Sequence, residues 1–534
     1  MRKKRVLMCA EAHHINSGFG RYTKEILYRL SKSNKYELAE LACYHKDGSK
    51  TNVPWKVYSN VPKDDDKQSI EAYESNQLNQ FGQWRFEKVL LDFKPDIVFD
   101  IRDYWMFSYQ ELSCLRPYYK WIIAPTIDSI PQKTEWLTTF ENADMVLTHT
   151  DWAGDYLRSL NRPINVGPCI TDSVDTEVFQ PVHCTKTYHK SRYGLPADSI
   201  IIGSVMRNQK RKLIAELFKV LRKLIDTTNN HNIFLYLHTS YPEKQGWPIP
   251  ELLQEHGVEN NVLFTYYSIK DNSIFVSKYK GSKIPSPSCD DGVSIFPNVQ
   301  LGINNDQLND VYNLFDIYVQ YAICEGLGIP QLEAASCGIP IFSVNYSGME
   351  EITSKVDGVK INYLLATELE TGSDRATPDN DHLMHEIMEW MQKTTKDKLK
   401  FSHKTRELLV QNYSWDMTAK TIMDVFDNMP INEDIWSVPM NANTKLSVPD
   451  NLSNREFVEF IIRDIMCEPN LLKTYFAQNL IKSLNESIDI TSNKNNIQAR
   501  EAVIKALEIF LNNKVFCEQV RSGKIKLNDN FLSS

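Results

Sequence analysis

The stretch YAICEGLGIPQLEAASCGIP (321–340) holds two carboxylates, Glu325 and Glu333, with seven residues between them. An ionised carboxylate accepts hydrogen bonds on both oxygens, so a fixed one can grip a vicinal diol such as a ribose. Gly326 and Gly328 let backbone N–H groups come close to a ligand. Pro330 suits the first position of a helix and Gly338 its end. A bare loop feeding a helix N-terminus is a seat for an anion or for sugar hydroxyls. Glu333 falls in the first turn of that helix, where a favourable contact with the helix dipole would also explain its charge. Glu325 falls at the carboxyl end of the apolar run IYVQYAIC, the edge at which doubly wound sheets hold ligands. Ala334, Ala335, Ser336 and Cys337 are small enough for the helix to lie close to a sheet.

Positioning such groups takes a large scaffold. The chain has 534 residues, 42% hydrophobic and 24% charged, as in an ordinary soluble protein, and its length suits two to four domains at about 150 residues each. A net charge of −8 argues against a broad nucleic-acid-coating surface and leaves room for a local basic groove. No apolar run is long enough to span a membrane. The short apolar stretch after MRKKR reads as a buried strand rather than a secretory leader. Ten scattered cysteines without CxxC spacing fit a reducing cytosol and give no support to zinc.

Short apolar runs alternate with helical patterns. Val6–Cys9 predicts a strand, EAHHINSGFG a loop, and RYTKEILYRLSKS a helix with Ile26, Leu27 and Leu30 on one face. DIVFDI (96–101), WIIAPTI (121–127) and MVLTHT (145–150) predict further buried strands. A second set follows: IIIGSV (200–205), IFLYLHT (233–239), NVLFTYY (261–267), IYVQYA and PIFSVNY, with helices between. Continuous apolar runs separated by helices imply parallel sheets covered on both faces. The expected organisation is a Rossmann-like domain over 1–185 and a second over 186–428, with a ligand cleft between. Residues 268–300 are an insertion expected to form a long loop or small flap. Residues 429–534 are a linker and a helical appendage. From 435 onward it carries 12 basic and 11 acidic residues, so it is not a polybasic arm.

With these motifs in this order, the chain resembles the family 4 glycosyltransferases (group 1 transferases). EGLGIPQLE matches that family's motif of two glutamates with seven residues between them. ITDSVDTEVFQP (170–181) is similar to its crossover segment, and SRYGLPADSIIIGSVMRNQKRK (191–212) to the start of its donor domain. AEAHHINSGFGRYTKEIL (10–27) is similar to the first loop of its acceptor domain. The resemblance implies an α/β GT-B fold, two Rossmann-like domains facing a cleft, here with a C-terminal helical appendage. It implies retaining transfer of a hexose or pentose from a nucleoside diphosphate sugar, a UDP-sugar first, with no metal or other cofactor required.

Carried over position by position, Arg207 and Lys212 hold the diphosphate, with Lys210 and Arg211 as rivals for the lysine's place. Without a metal, fixed cations and backbone donors must neutralise the leaving group. Cations near a helix N-terminus oppose its dipole and need such a reason. Glu333 binds the ribose and Glu325 contacts the transferring sugar. Backbone N–H groups of Gly326, Leu327, Gly328 and Ile329 hold sugar and phosphate, and Gly18 and Gly20 border the diphosphate. The leaving phosphate helps deprotonate the acceptor, so the paired carboxylates of a retaining hydrolase are not expected. Two departures stand out. Lys212 is followed by Leu213 where the family often has glycine, and Ile127-Asp128 stands where many members have His-Asp. Asp128 is expected at the acceptor or sugar, and His13 or His14 could replace the missing imidazole.

The acceptor is the open question at this level. The chain also looks like glycosyltransferases of large tailed phages, in MRNQKRK and FDIRDYW, which implies a hydroxymethylated DNA base. Other members of the family act on glycans or lipid-linked glycans. Dense aromatics in the first domain, among them Trp84, Tyr104, Trp105 and Trp121, can stack on sugars or bases. The expected compartment is the cytoplasm of a bacterium or of a phage-infected host. The C-terminal helices could support a homo-oligomer. The alternative is a non-catalytic nucleotide-sugar-binding or scaffold protein.

Overall fold

The computed structural model describes residues 2–433 apart from 114, 299 and 300, and beyond them 435–437, 448, 449, 451–465, 475–486, 500, 501, 503, 504 and 507. They fall into two compact units. One comprises 1–85, 97–108 and 121–429; the other comprises 86–96, 109–120 and 430–534.

The first unit carries two sheets. The first sheet is built from β1 (Lys4–Glu11), β2 (Tyr36–Lys46), β3 (Lys56–Val61), β4 (Ile97–Asp100), β5 (Lys120–Ile123), β6 (Met145–Thr148) and β7 (Val166–Cys169), in the order β3-β2-β1-β4-β5-β6-β7. Its pairings are parallel. Val6, Leu7, Met8, Val98, Phe99 and Ile122 are fully buried in it. The sequence pattern names no element at β2 and β3. The β2 stretch YELAELACYHK is rich in Glu, Leu and Ala, which favour helix locally. It is extended because β1 pairs along it from Tyr36 to Cys43 and β3 pairs on its other side.

The second sheet contains β8 (Ile200–Val205), β9 (Ile233–His238), β10 (Val262–Ser268), β11 (Ile274–Ser277), β12 (Lys283–Pro285), β13 (Val293–Ile295), β14 (Ile317–Gln320), β15 (Ile341–Val344) and β16 (Val359–Ile361). The order is β12-β13-β10-β9-β8-β14-β15-β16, with β11 paired to β10. Strands β8, β9, β10, β14 and β15 are parallel, as expected from their apolar runs, and β16, which the sequence pattern does not name, adds a parallel edge beside β15. Residues 268–300 carry β11, β12 and β13, an antiparallel extension of the sheet. Apolar clusters cover both faces, one around Phe218, Leu221 and Phe342, the other around Tyr312, Phe315 and Leu332.

The helix Trp415–Asn428 ends the region assigned from sequence to the second domain, yet it lies on the first sheet's half. The Oη of Tyr36 donates to Asp427 Oδ1 at 2.5 Å, Thr418 Oγ1 donates to Thr171 O at 2.8 Å, and Lys4 Nζ donates to Met429 O at 2.9 Å.

In the second unit, helix Asn454–Phe460 starts with a reciprocal cap between Ser453 and Glu456, and helix Tyr475–Glu486 follows. Phe457, Val458, Ile461, Ile462 and Leu484 form its buried cluster. Most of the linker and most of the third expected helix, REAVIKALEIFL, lie outside the described residues. Among the described residues, no helix is long and apolar enough to cross a membrane.

Candidate active site

The carboxyl ends of both sheets open on one cleft of about 710 Å³. The residues after β4, β5 and β6 supply Asp103, Thr126, Asp128 and His149. Those after β8, β9 and β14 supply Arg207, Arg211, Lys212, Ser240 and Glu325. Of the residues named from sequence, Gly18, Asp128, Arg207, Lys212, Glu325, Gly326, Leu327, Gly328, Ile329 and Glu333 all line it. Gly20 does not. It is buried behind the loop, its N–H donates to Ser17 Oγ at 3.0 Å, and a Cβ there would stand 2.3 Å from Ile15 O. Its job is close backbone packing.

Glu325 is 5% exposed and tightly held. Arg211 Nη1 donates to its Oε2 at 2.9 Å, Gln320 Nε2 donates to Oε1 at 2.9 Å, and Lys212 Nζ is ion-paired with Oε1. Ser347 Oγ takes its backbone N–H at 3.1 Å. Next to it, a Cβ on Gly326 would stand 2.3 Å from Thr126 Cγ2. Only glycine lets the loop approach the facing half so closely. The helix after this loop is Ile329–Ser336, one residue earlier than Pro330 suggests, with Gly328 at its N-cap at φ 97. Glu333 lies on that helix. Arg21 Nη1 is ion-paired with its Oε1, and Tyr312 Oη donates to Oε2 at 2.6 Å. Each oxygen offers two lone pairs, so each carries acceptor capacity beyond these two partners.

The basic run divides its labour. Arg211 and Lys212 bear on Glu325. Lys210 lies over the Trp247 ring, 4.2 Å from its centroid. Arg207 stands on the rim, more than half exposed, with Nε 3.3 Å from Glu243 Oε1. A surface pair of this kind adds at most about 1 kcal/mol of stability. Arg207→Ala is therefore expected to leave the urea unfolding midpoint unchanged, read from equilibrium unfolding.

Asp128 reaches across the cleft. Its Oδ1 accepts from Ser129 Oγ at 2.8 Å and Arg375 Nη1 at 3.2 Å, and its Oδ2 from Cys324 Sγ at 3.2 Å. Sequence reasoning offered His13 or His14 as a replacement imidazole. His13 is bonded through Nδ1 to Glu40 Oε2 at 2.8 Å, and neither lines the cleft. Two imidazoles line the cleft instead: His238, bonded through Nδ1 to Thr265 Oγ1 at 3.0 Å, and His149, which is 6% exposed with Asp172 Oδ2 3.9 Å from its Nδ1. Burial pushes His149 down to about 4.

Three further residues escaped the sequence reading. Arg21 carried a usable signal, because it is a cation in the first turn of helix Gly18–Ser33, where the dipole disfavours it. Burial pushes the Asp103 carboxyl up to about 6, with nearby Asp128 adding to the rise and a Thr126 hydrogen bond opposing it. Asp172, in the crossover segment, is pushed up to about 7 by burial, against the pull of Arg21. Between pH 3.8 and 7 the folded protein keeps the Asp172 proton that the unfolded chain has lost. Stability from this group therefore falls as pH rises through that window. Asp172→Asn is expected to stabilise the protein at pH 8 relative to wild type, by up to about 4 kcal/mol, and by far less at pH 4. Urea unfolding of both proteins at the two values checks this.

Residues 297–407 match the family described as glycosyl transferases group 1. No curated protein matches the chain. Among solved structures, a sucrose-phosphate synthase from Thermosynechococcus elongatus is similar at 15% identity and a TM-score of 0.56, over 80% of this chain and 98% of that one. A glycosyltransferase from Rickettsia africae is similar at 13% identity and 0.55, over 80% and 98%. The Anabaena protein HepE, in complex with UDP and glucose, is similar at 13% identity and 0.54, over 80% and 100%.

Proposed function

The fold is GT-B, and from it and the cleft we propose that the protein is a retaining glycosyltransferase that moves a sugar from a nucleoside diphosphate sugar, a UDP-sugar first, to an acceptor hydroxyl. The observation that carries this reading is the convergence of Arg211, Lys212, Glu325 and Glu333 on one cleft. Glu333 holds the ribose diol through its remaining acceptor capacity. Arg211, Lys212 and Arg207 neutralise the diphosphate as the glycosidic bond breaks. Fixed cations in a partly dry cleft supply that stabilisation without a metal ion. Glu325 keeps Arg211 and Lys212 in place and offers its carboxylate to the sugar. The leaving phosphate takes the acceptor proton on the face from which it departs. Apposition of the two sheets excludes water from the activated sugar.

The match to the group 1 family over 297–407, which contains Glu325 and Glu333, supports the same reading. The test is release of nucleoside diphosphate from a panel of nucleotide sugars. Each is supplied alone, with hydroxymethylated duplex DNA, and with a pool of glycans and glycolipids, with Glu333→Ala as the blank. Acceptor-stimulated release in the wild type alone is the expected result. Silence with every donor would overturn the reading and favour a non-catalytic nucleotide-sugar-binding protein.

A further inference from the structure

We propose that two exposed aromatic side chains, Tyr44 and Trp105, flank Phe81 as a ledge that seats the sugar rings of a neutral glycan acceptor and presents its hydroxyl to the cleft past Glu11 and Asp103. This rests on the glycosyltransferase reading and adds the acceptor class.

The ledge lies at the carboxyl edge of three neighbouring strands, β2, β1 and β4. Tyr44 is near the end of β2. Glu11 ends β1, level with Cys43. Trp105 lies in the short helix Tyr104–Phe107 that follows β4. The Phe81 ring is 5.0 Å from that of Trp105 and 6.5 Å from that of Tyr44, edge to face in both cases. Phe81 is buried, whereas Trp105 is 50% and Tyr44 38% exposed. Tyr44 and Trp105, grouped around Phe81, form a contiguous apolar patch rather than scattered exposed residues, and their faces suit the apolar C–H faces of sugar rings.

Two features show that the ledge is held in place. Tyr44 has φ 66, a left-handed conformation that is strained for a bulky side chain. Beneath it, Arg102 is fully buried. It donates to Phe81 O at 2.6 Å, Cys43 Sγ at 3.1 Å and Asp100 Oδ1 at 2.9 Å. A buried ion pair is poor value for stability alone. Here it ties the short 3-10 helix Gln77–Phe81 and the end of β2 to β4.

The ledge adjoins the donor cleft through Asp103 and Ser17. Asp103 lines the cleft two residues before Trp105. Glu11 bonds to Ser17 Oγ, and Ser17 also lines the cleft. Glu11 lies within electrostatic reach of both Tyr44 and Asp103. A hydroxyl-rich ligand entering over the aromatics therefore meets carboxylates that accept its O–H groups. A DNA backbone meets like charge at the same carboxylates, which is why the neutral glycan is the favoured occupant.

The full-length protein, saturated with UDP, is titrated with maltotriose, cellotriose and chitotriose by calorimetry at two salt concentrations. A duplex oligonucleotide carrying hydroxymethylated cytosine serves as competitor. At least one trisaccharide is expected to bind, with an affinity indifferent to salt and to the duplex. Trp105→Ala and Tyr44→Ala should each weaken that binding about tenfold, through the loss of one aromatic face. Trp105→Phe should recover part of it, and Tyr188→Ala, a remote exposed aromatic, should match wild type. UDP affinity of each variant separates a lost acceptor seat from a lost fold. Failure of all three sugars to bind, displacement by the duplex, or unchanged binding in both alanine variants overturns the ledge. If UDP binds and donor sugars are turned over while the ledge variants behave as wild type, only this inference falls. If no donor is bound or turned over, the underlying reading falls with it.

Discussion

Lys212→Met is expected to lower the turnover of sugar transfer by about 10²- to 10³-fold, the loss seen when one preorganised group stabilising developing charge is removed. Lys212 is 7% exposed and its ammonium faces Glu325. A purely structural role is the competing explanation, since removing one partner of a buried pair costs about 3–5 kcal/mol. The double variant Lys212→Met, Glu325→Gln separates the two. With both charges removed, Gln320 and Arg211 still flank position 325, so urea stability should largely return. If Lys212 stabilises the leaving diphosphate, turnover of the double variant stays well below that of Glu325→Gln alone. Recovery of stability together with turnover equal to that of Glu325→Gln alone would reduce Lys212 to a counterion. Steady-state release of nucleoside diphosphate and equilibrium unfolding give the two readouts.

Glu333→Ala is expected to weaken donor binding by about ten- to a hundredfold, because hydrogen bonds to a charged group contribute about 1.5–3 kcal/mol each and every 1.4 kcal/mol is tenfold. The carboxylate is 3% exposed and oriented from both sides, by Arg21 and Tyr312. Its truncation also strips Arg21 of its partner, so some stability loss should accompany the change. Calorimetry with UDP and with 2′,3′-dideoxy-UDP distinguishes the two effects. A diol grip predicts that wild type loses affinity for the dideoxy nucleotide and that Glu333→Ala binds both equally. An equal drop for both ligands in the variant would mean that Glu333 only shapes the site.

Much of this was legible in the chain. The strands β1, β4, β5, β6, β8, β9, β10, β14 and β15 follow their apolar runs, because a strand buried on both faces needs an unbroken one. The loop EGLGIPQLE, the helix behind it and the carboxylate at its first turn are local consequences of glycine, proline and spacing. The strand β2 was not legible, because YELAELACYHK has no β-branched run and its extended form depends on two neighbours.

The sequence by itself determined which chemical groups would stand at strand ends and helix starts, since covalent spacing and hydrophobic period place them. Tertiary structure alone decided which of them meet. Of Lys210, Arg211 and Lys212, like charges side by side, the turn of one loop sends two to Glu325 and one to Trp247. Arg21 reaches Glu333 from 312 positions away, and Asp128 reaches Cys324 from 196. The ledge joins residues from β2, from the 3-10 helix Gln77–Phe81 and from the turn after β4. Each of these pairings depends on how two rigid sheets and their edge loops face one another, a geometry set by packing across the whole unit and absent from any local period.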